Sequence, residues 1–327
     1  MLGSPNDFDL AALRTAIARL AARGQYVGTS SWKYEGWLGM LYDEQRYLHH
    51  GKISKKRFQE NCLAEYAQTF KTVSVDAGYY QFPTVESLGK LCAQVPDDFR
   101  FSFKVTDEIT LRHFHKLERH GDRAGTVNPN FLNAELFSEL FLGPCSGFKE
   151  KIGLLMFEFT TFQPTDYARG RHFVDDLDTF LGKLPRQWQY GVEVRNESFL
   201  RPEYFNCLRA HGVAHIYNNW NRMPSVATQM AIAGSETTDF VAARFLLKPG
   251  RGFEEAVAKF KPYTEIREPN PEARRALRKI TEKKTERPSY AFVNNRLEGC
   301  SLKTIMAALG LEENTPPPPP IDEFEVL

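Results

Sequence analysis

Six ionisable residues, Asp76, Lys104, Glu158, Glu193, Arg195 and Arg244, each stand late in a short run rich in branched and aromatic side chains. Side chains alternate between the two faces of a strand, so turning the bulky residues outward decides where the charges point. With Val73 and Val75 outward, Thr72, Ser74 and Asp76 face in; with Phe101 and Phe103 outward, Ser102 and Lys104 face in. Leu155, Phe157 and Phe159 outward leave Glu158 inward, Val192 and Val194 leave Glu193 and Arg195 inward, and Val241 and Ala243 leave Arg244 inward. Three acids and three cations on one inner surface can move protons and grip an anion. A carboxylate beside a cation suits the base role, assigned to Glu193 one inward step from Arg195; one pressed against apolar neighbours has a raised pKa and suits the acid role, assigned to Glu158 between Phe157 and Phe159. Asp76 completes the carboxylate set. Arg195 and Arg244 offer paired N–H donors to a phosphate or carboxylate, and Lys104 offers a point charge to a developing oxyanion. Desolvating such groups costs several kcal/mol each before pairing, which argues for function; the rival reading is a structural ion network that braces the strands.

Further residues that could meet a substrate follow the same runs. Ser30-Ser31-Trp32 to Trp37 comes after the first and Tyr79-Tyr80-Gln81-Phe82 after the second, and such rings stack on sugars or bases when they are not simply packed. Asn218-Asn219-Trp220 and Asn294-Asn295 end two later runs and offer amides to hydroxyl groups, or serve as turn residues. Ser30, Trp32, Tyr80, Asn218, Asn294 and Asn295 therefore join Arg195 and Arg244 as the expected substrate-binding set. The eight histidines include His113-Phe114-His115 and His215 but no H-x-x-x-H or H-E-x-x-H spacing. Magnesium or manganese on Asp76, Glu158 and Glu193 is chemically open but opposed by three neighbouring cations. With no G-x-G-x-x-G after a strand, no Walker loop and no G-x-S-x-G, no cofactor is expected.

Residues this far apart in the chain can meet only if the elements carrying them form one sheet. Eight β-like runs, 26–30, 72–76, 100–104, 153–159, 190–195, 213–218, 240–244 and 290–294, are mostly separated by helical patterns. Phe58, Leu63, Tyr66, Ala67 and Phe70 share one helical face, as do Phe173, Leu177, Phe180, Leu181 and Leu184, and Tyr204, Phe205 and Leu208. Strands alternating with helices imply right-handed crossovers and a parallel sheet, and eight units predict a single-domain α/β fold, a TIM-type (β/α)8 parallel barrel with catalysis at the C-terminal mouth. An open doubly wound sheet is the alternative. Phe131, Leu132, Leu136, Phe137, Leu140 and Phe141 predict a helix within 121–151, and Pro262, Pro269 and Pro271 divide 248–285 into two helices. Leu10, Leu13, Ile17 and Leu20 predict a helix in an N-terminal extension, 1–24, ahead of the barrel, 25–311; the five prolines from Pro316 to Pro320 predict a disordered tail, 312–327.

Composition is that of an ordinary globular chain: 327 residues, 42% hydrophobic, 25% charged, with a formal charge of +1 that supplies no long-range field for nucleic acid or acidic membrane. Five widely spaced cysteines without a C-x-x-C pair argue against a disulfide framework. No apolar run reaches membrane-spanning length and the N-terminus lacks signal-peptide order, so a cytoplasmic location without membrane contact is expected.

Taken together, Gly28-Thr29-Ser30-Ser31-Trp32-x-Tyr34-x-x-Trp37, Phe70-Lys71-Thr72-Val73, Tyr80-Gln81-Phe82-Pro83, Phe101-x-Phe103-Lys104, Val192-Glu193-Val194-Arg195 and Phe292-Val293-Asn294-Asn295 resemble the YecE-like family, domain of unknown function 72, from about Tyr26 to Leu309. The resemblance implies a TIM-barrel-like fold, carries over Lys104, Glu193, Arg195, Arg244 and Asn294-Asn295 as site residues, and brings no established activity. The chain departs from the common pattern at Ser31, where glycine is usual, at Asp76, near a usual asparagine, at Glu158-Phe159-Thr160-Thr161 and at Ala243-Arg244-Phe245-Leu246-Leu247. The leading expectation is a hydrolase, lyase or isomerase that acts on a small anionic hydroxylated substrate, a sugar phosphate or sugar acid, by carboxylate acid/base chemistry. The second is a phosphodiester-processing or nucleic-acid-binding barrel, in which cations hold phosphate and aromatics stack on bases. The third is a non-catalytic binding module whose proline tail recruits a partner. The oligomeric state is not readable from the residues.

Overall fold

The computed structural model describes residues 8–311; the proline-rich segment assigned to 312–327 lies outside them. The bulky, β-branched runs form β1 (Gln25–Thr29), β2 (Thr72–Val75), β3 (Arg100–Lys104), β4 (Ile152–Glu158), β5 (Gln189–Glu193), β6 (Ala214–Asn219), β7 (Ala242–Phe245) and β8 (Ser289–Val293). All neighbours pair in parallel and the sheet closes on itself, β1 meeting β8 on one side and β2 on the other. This is the (β/α)8 barrel, and the open doubly wound sheet is set aside. The helices around it include Lys55–Tyr66, Val85–Cys92, Gly170–Gly182, Pro202–His211, Phe253–Phe260, Pro271–Glu282 and Ser301–Leu309, and Leu10–Ala21 precedes β1. Asp9 caps that first helix by accepting from the Ala12 amide at 2.8 Å, and Leu13, Ile17 and Leu20 are its buried face.

Two separate apolar clusters confirm the phase of the strands. Leu154, Met156, Ala214, Ile216, Phe240, Ala242, Tyr290 and Phe292 fill the lumen. Val27, Val73, Val75, Phe101, Phe103, Leu155, Phe157, Val192 and Val194, alternating with lumen positions, pack beneath the helices. The lumen is therefore plugged with hydrocarbon below, and polar groups reach it only toward the C-terminal ends.

The β3–β4 connection departs from the single helix expected there. Phe131 and Leu132 precede the helical stretch, whose start is capped by Asn133 accepting from the Leu136 amide at 2.9 Å. Over Phe137–Leu142 the helix widens into a π turn ahead of Gly143-Pro144, and Leu140 is 40% exposed rather than part of the apolar face. Pro144 has no N–H to close an ordinary turn, and a wide turn absorbs that missing bond.

β1 and β2 run unusually close. A Cβ on Gly28 would lie 2.2 Å from the Thr72 carbonyl oxygen, a backbone atom that cannot swing aside. Gly28→Ala should force this seam apart and destabilise the protein by about 1–3 kcal/mol, the usual range for overpacking; urea denaturation of the variant against the wild type measures it.

Candidate functional site

The strand ends bring five charged side chains into one connected, buried network. Lys104 closes β3, Glu158 closes β4, Glu193 closes β5, Arg195 lies two residues beyond it, and Arg244 lies within β7. Glu158 Oε2 is the common acceptor: Lys104 Nζ stands at 3.2 Å, Arg195 Nη2 at 3.0 Å, and Arg244 Nη1 donates to it as well. Glu193 receives Arg244 Nη1 at 2.7 Å on Oε2, and its Oε1 is 2.6 Å from Arg195 Nη2. Asp76, one residue past β2, points Oδ1 at Arg244 Nη2 from 4.0 Å while its side chain stays 47% exposed. The flat faces of the cations are covered too: Lys104 Nζ lies 3.9 Å from the centre of the Tyr79 ring and the Arg195 guanidinium 3.8 Å from that of Trp220.

Glu158 does not take the acid role. Its sequence neighbours Phe157 and Phe159 point to the opposite face, into the packed layer, so they do not surround its carboxyl. Burial alone would raise its pKa, but Arg195, Lys104 and Arg244 hold it well below the usual carboxylate range. Burial also works against the Arg244 charge, yet Glu193, Glu158 and Asp76 outweigh it and raise the guanidinium pKa further. Glu193 is 0% exposed, with both oxygens turned to guanidinium groups. Glu193 thus holds Arg195 and Arg244 in place from beneath, although its Oε1 makes no hydrogen bond. A divalent cation on Glu158 and Glu193 would have to displace three cations already bound there.

Residues of the expected binding set take different places. Ser30 and Asn218 are buried, and Ser30 Oγ and Asn218 Oδ1 find no hydrogen-bond partner within the protein, as is also true of Ser74 Oγ within β2. The same holds for Asp76 Oδ1, Arg195 Nε and Arg244 Nε. A buried polar atom left unmatched costs about 1–3 kcal/mol, and several of them gather at this mouth. Asn294 and Asn295 instead serve the backbone: Asn294 Oδ1 accepts from the Arg296 amide at 2.9 Å, and Asn295 Oδ1 accepts from the Ser301 amide and hydroxyl at 2.7 and 2.8 Å. Trp32 is buried in the outer apolar layer, where its ring packs rather than greets a substrate. Tyr80 is 63% exposed, with Arg119 5.0 Å from its ring centre.

Sequence reasoning missed the loop that follows β3. Asp107 is buried, Arg119 reaches it at 2.9 Å, and burial raises its pKa despite that cation. Its one sequence signal is position, three residues past Lys104 on the mouth side of a barrel strand. His115 and His120 in the same loop are held toward the neutral form, first by burial and then by Arg119. His215, within β6, is wholly buried between Tyr204 and Gln229, and burial lowers its pKa to about 4.

Comparison with known proteins agrees with this architecture. The chain is 29% identical over 175 residues to the UPF0759 protein YecE of Escherichia coli K12, a match covering 53% of this chain and 49% of that protein. YecE of Escherichia coli O157:H7 matches equally, so the chain spans about half the length of the curated relatives it matches. A DUF72 family protein from Thermotoga maritima MSB8 shares the fold with a TM-score of 0.56 at 20% identity, covering 88% of this chain and 97% of that one. Another from Enterococcus faecalis V583 has a TM-score of 0.56 at 18% identity, over 89% and 97% of the two chains. No helix among the described residues is long and apolar enough to cross a membrane. Residues 26–321 match the family described as "Protein of unknown function DUF72", and the chain belongs to that family.

Proposed function

We propose that the C-terminal mouth of the barrel binds a small anionic hydroxylated substrate, a sugar phosphate or sugar acid, and transforms it by proton transfer through Asp76. The observation that carries this reading is the set of unmatched buried polar atoms, Ser30 Oγ, Asp76 Oδ1, Arg195 Nε, Asn218 Oδ1 and Arg244 Nε, around a network in which three cations face two buried carboxylates. Three cations at one mouth favour an anion, and a guanidinium presents its donors in the plane that phosphate and carboxylate oxygens use. Asp76 is the mouth carboxylate whose side chain is half exposed while its Oδ1 faces Arg244, so its open side can exchange a proton with a bound hydroxyl or activated carbon. Lys104 and Arg195 are placed to stabilise negative charge that develops on the substrate. This supports a hydrolase, lyase or isomerase that needs no organic cofactor.

Inorganic phosphate, then a panel of sugar phosphates, sugar acids and neutral sugars, tests the reading by thermal shift at low ionic strength. Phosphate and the anionic sugars are expected to raise the Tm of the wild type, and Arg195→Ala to lose that response. Asp76→Asn should keep the response while NMR of the incubated panel shows no conversion. Wild-type protein that ignores every anion, or an Arg195→Ala variant that responds like wild type, refutes the site.

A second reading takes the phosphate from a nucleic acid strand. It draws on Tyr80, an exposed ring beside Arg119 that a base could stack on. Salt-dependent binding of a labelled single-stranded oligonucleotide, lost in Tyr80→Ala, would favour it over the small substrate.

A further inference from the structure

Near the opposite end of the barrel, two outer helices place three metal-binding side chains against one another. Cys207 and His211 are four residues apart on Pro202–His211, so they share a helical face, and Asp178 meets them from Gly170–Gly182. His211 lies three residues before β6 begins, which sets the group toward the N-terminal end of the strands, away from the charged mouth. His211 Nε2 is 2.8 Å from Asp178 Oδ1, and Cys207 Sγ is 3.9 Å from the same oxygen. All three donor atoms fall within 4.8 Å of one another. Tetrahedral zinc, with bonds of about 2.0–2.3 Å to nitrogen, oxygen and sulfur, holds its ligand atoms about 3.3–3.8 Å apart. Small side-chain adjustments, on the order of an ångström or less, would bring this trio to that spacing.

We propose that Asp178, Cys207 and His211 form a binding site for a thiophilic divalent cation such as zinc, which would clamp the two helices together.

The chemistry of the surroundings favours a cation. Cys207 is buried, and its thiol is pushed up to about 12 by that burial and by the carboxylates of Asp178 and Asp175. A bound metal supplies the positive charge this thiol lacks and takes it as thiolate. His211 Nε2 donates to Asp178 Oδ1 at 2.8 Å and Nδ1 has no hydrogen-bond partner within the protein, so a metal that takes the ring at Nε2 displaces one proton and breaks no other bond of the imidazole. Asp178 is 60% exposed at its side chain, which gives an ion a route in. A cleft bounded by Leu184, Trp188, Tyr190 and His211 opens beside the group, with room for a small fourth ligand. Mixed sulfur, nitrogen and oxygen ligation suits zinc, while magnesium and calcium take oxygen ligands. Of the two arginines that line this cleft, Arg186 donates to the His211 carbonyl at 3.0 Å and Arg287 pairs with Asp239.

Cobalt(II) titrated into the full chain, first stripped of metal by chelator, tests this. One equivalent is expected to bind with an intense thiolate-to-cobalt charge-transfer band and tetrahedral visible bands, both erased by zinc. Zinc, and not magnesium, should raise the Tm. Cys207→Ser should lose the charge-transfer band. Asp178→Asn, at an exposed position that tolerates change, should keep the band and weaken cobalt affinity at least about 10-fold. A wild-type protein without a thiolate band at saturating cobalt, or a band that persists in Cys207→Ser, overturns the proposal.

Discussion

Arg244→Met is expected to cost about 3–5 kcal/mol of stability at neutral pH, the range for removing one partner of a buried ion pair. Arg244 Nη1 serves both Glu158 and Glu193, and the arginine is almost wholly buried, so no water replaces it. Both carboxylates would be left short of positive charge in a medium that strengthens every uncompensated interaction. The loss has a definite pH signature. In the wild type the Glu158 pKa is depressed, so its contribution is fully present above the unfolded carboxylate value of about 4.3 and fades as pH falls below it. The variant loses the Arg244 share of that depression while Arg195 and Lys104 remain, so its deficit against wild type should shrink as pH falls below about 4.3. Urea denaturation of both proteins across that range measures it. A deficit that is constant with pH would mean that lost packing, not charge, is responsible.

Glu158→Gln is the converse experiment. It removes the one oxygen that Lys104, Arg195 and Arg244 all approach, and leaves three cations around Glu193 alone. In low salt the variant should be about 3–5 kcal/mol less stable than wild type. Unlike Arg244→Met, it should be rescued by millimolar phosphate or sulfate, because an added anion can take the vacated position. Its phosphate-dependent rise in Tm should exceed that of the wild type. No phosphate response in either protein would show that an anion cannot reach these cations, and would favour a network that only braces the barrel.

Much of this geometry was legible in the residues because a strand has a two-residue period. Outward Val73, Val75, Phe101, Phe103, Val192 and Val194 locate Ser74, Lys104, Glu193 and Arg195 in the lumen, and the two apolar clusters divide along that line. The same period explains the misreading of Glu158: residues adjacent in the chain are on opposite faces of the sheet, so Phe157 and Phe159 say nothing about the medium its carboxyl meets. What surrounds it comes from β3, β5 and β7, and no local pattern announces those partners. Burial depth was equally hidden, since nothing near Glu193 tells that it lies beneath two arginines while Asp76 reaches solvent. The π turn at Phe137–Leu142 escaped because its apolar spacing imitates an ordinary helix. Cys207 and His211 stand at a readable spacing, but Asp178 joins them only through the packing of one helix on the next.

The seam between β1 and β2 has the sparsest strand pairing in the ring. Only Thr29 and Val73 pair across it, and the Tyr66 hydroxyl bridges the gap, accepting from the Thr29 amide at 3.1 Å and donating to the Thr72 carbonyl at 3.0 Å. A borrowed phenol thus stands in for part of the missing ladder. Ser30 and Asp76 emerge from the two sides of this join, so the rim is least tied together there, while across the ring the β4–β5 ladder runs through five paired positions from Leu154 and Gln189 to Glu158 and Glu193.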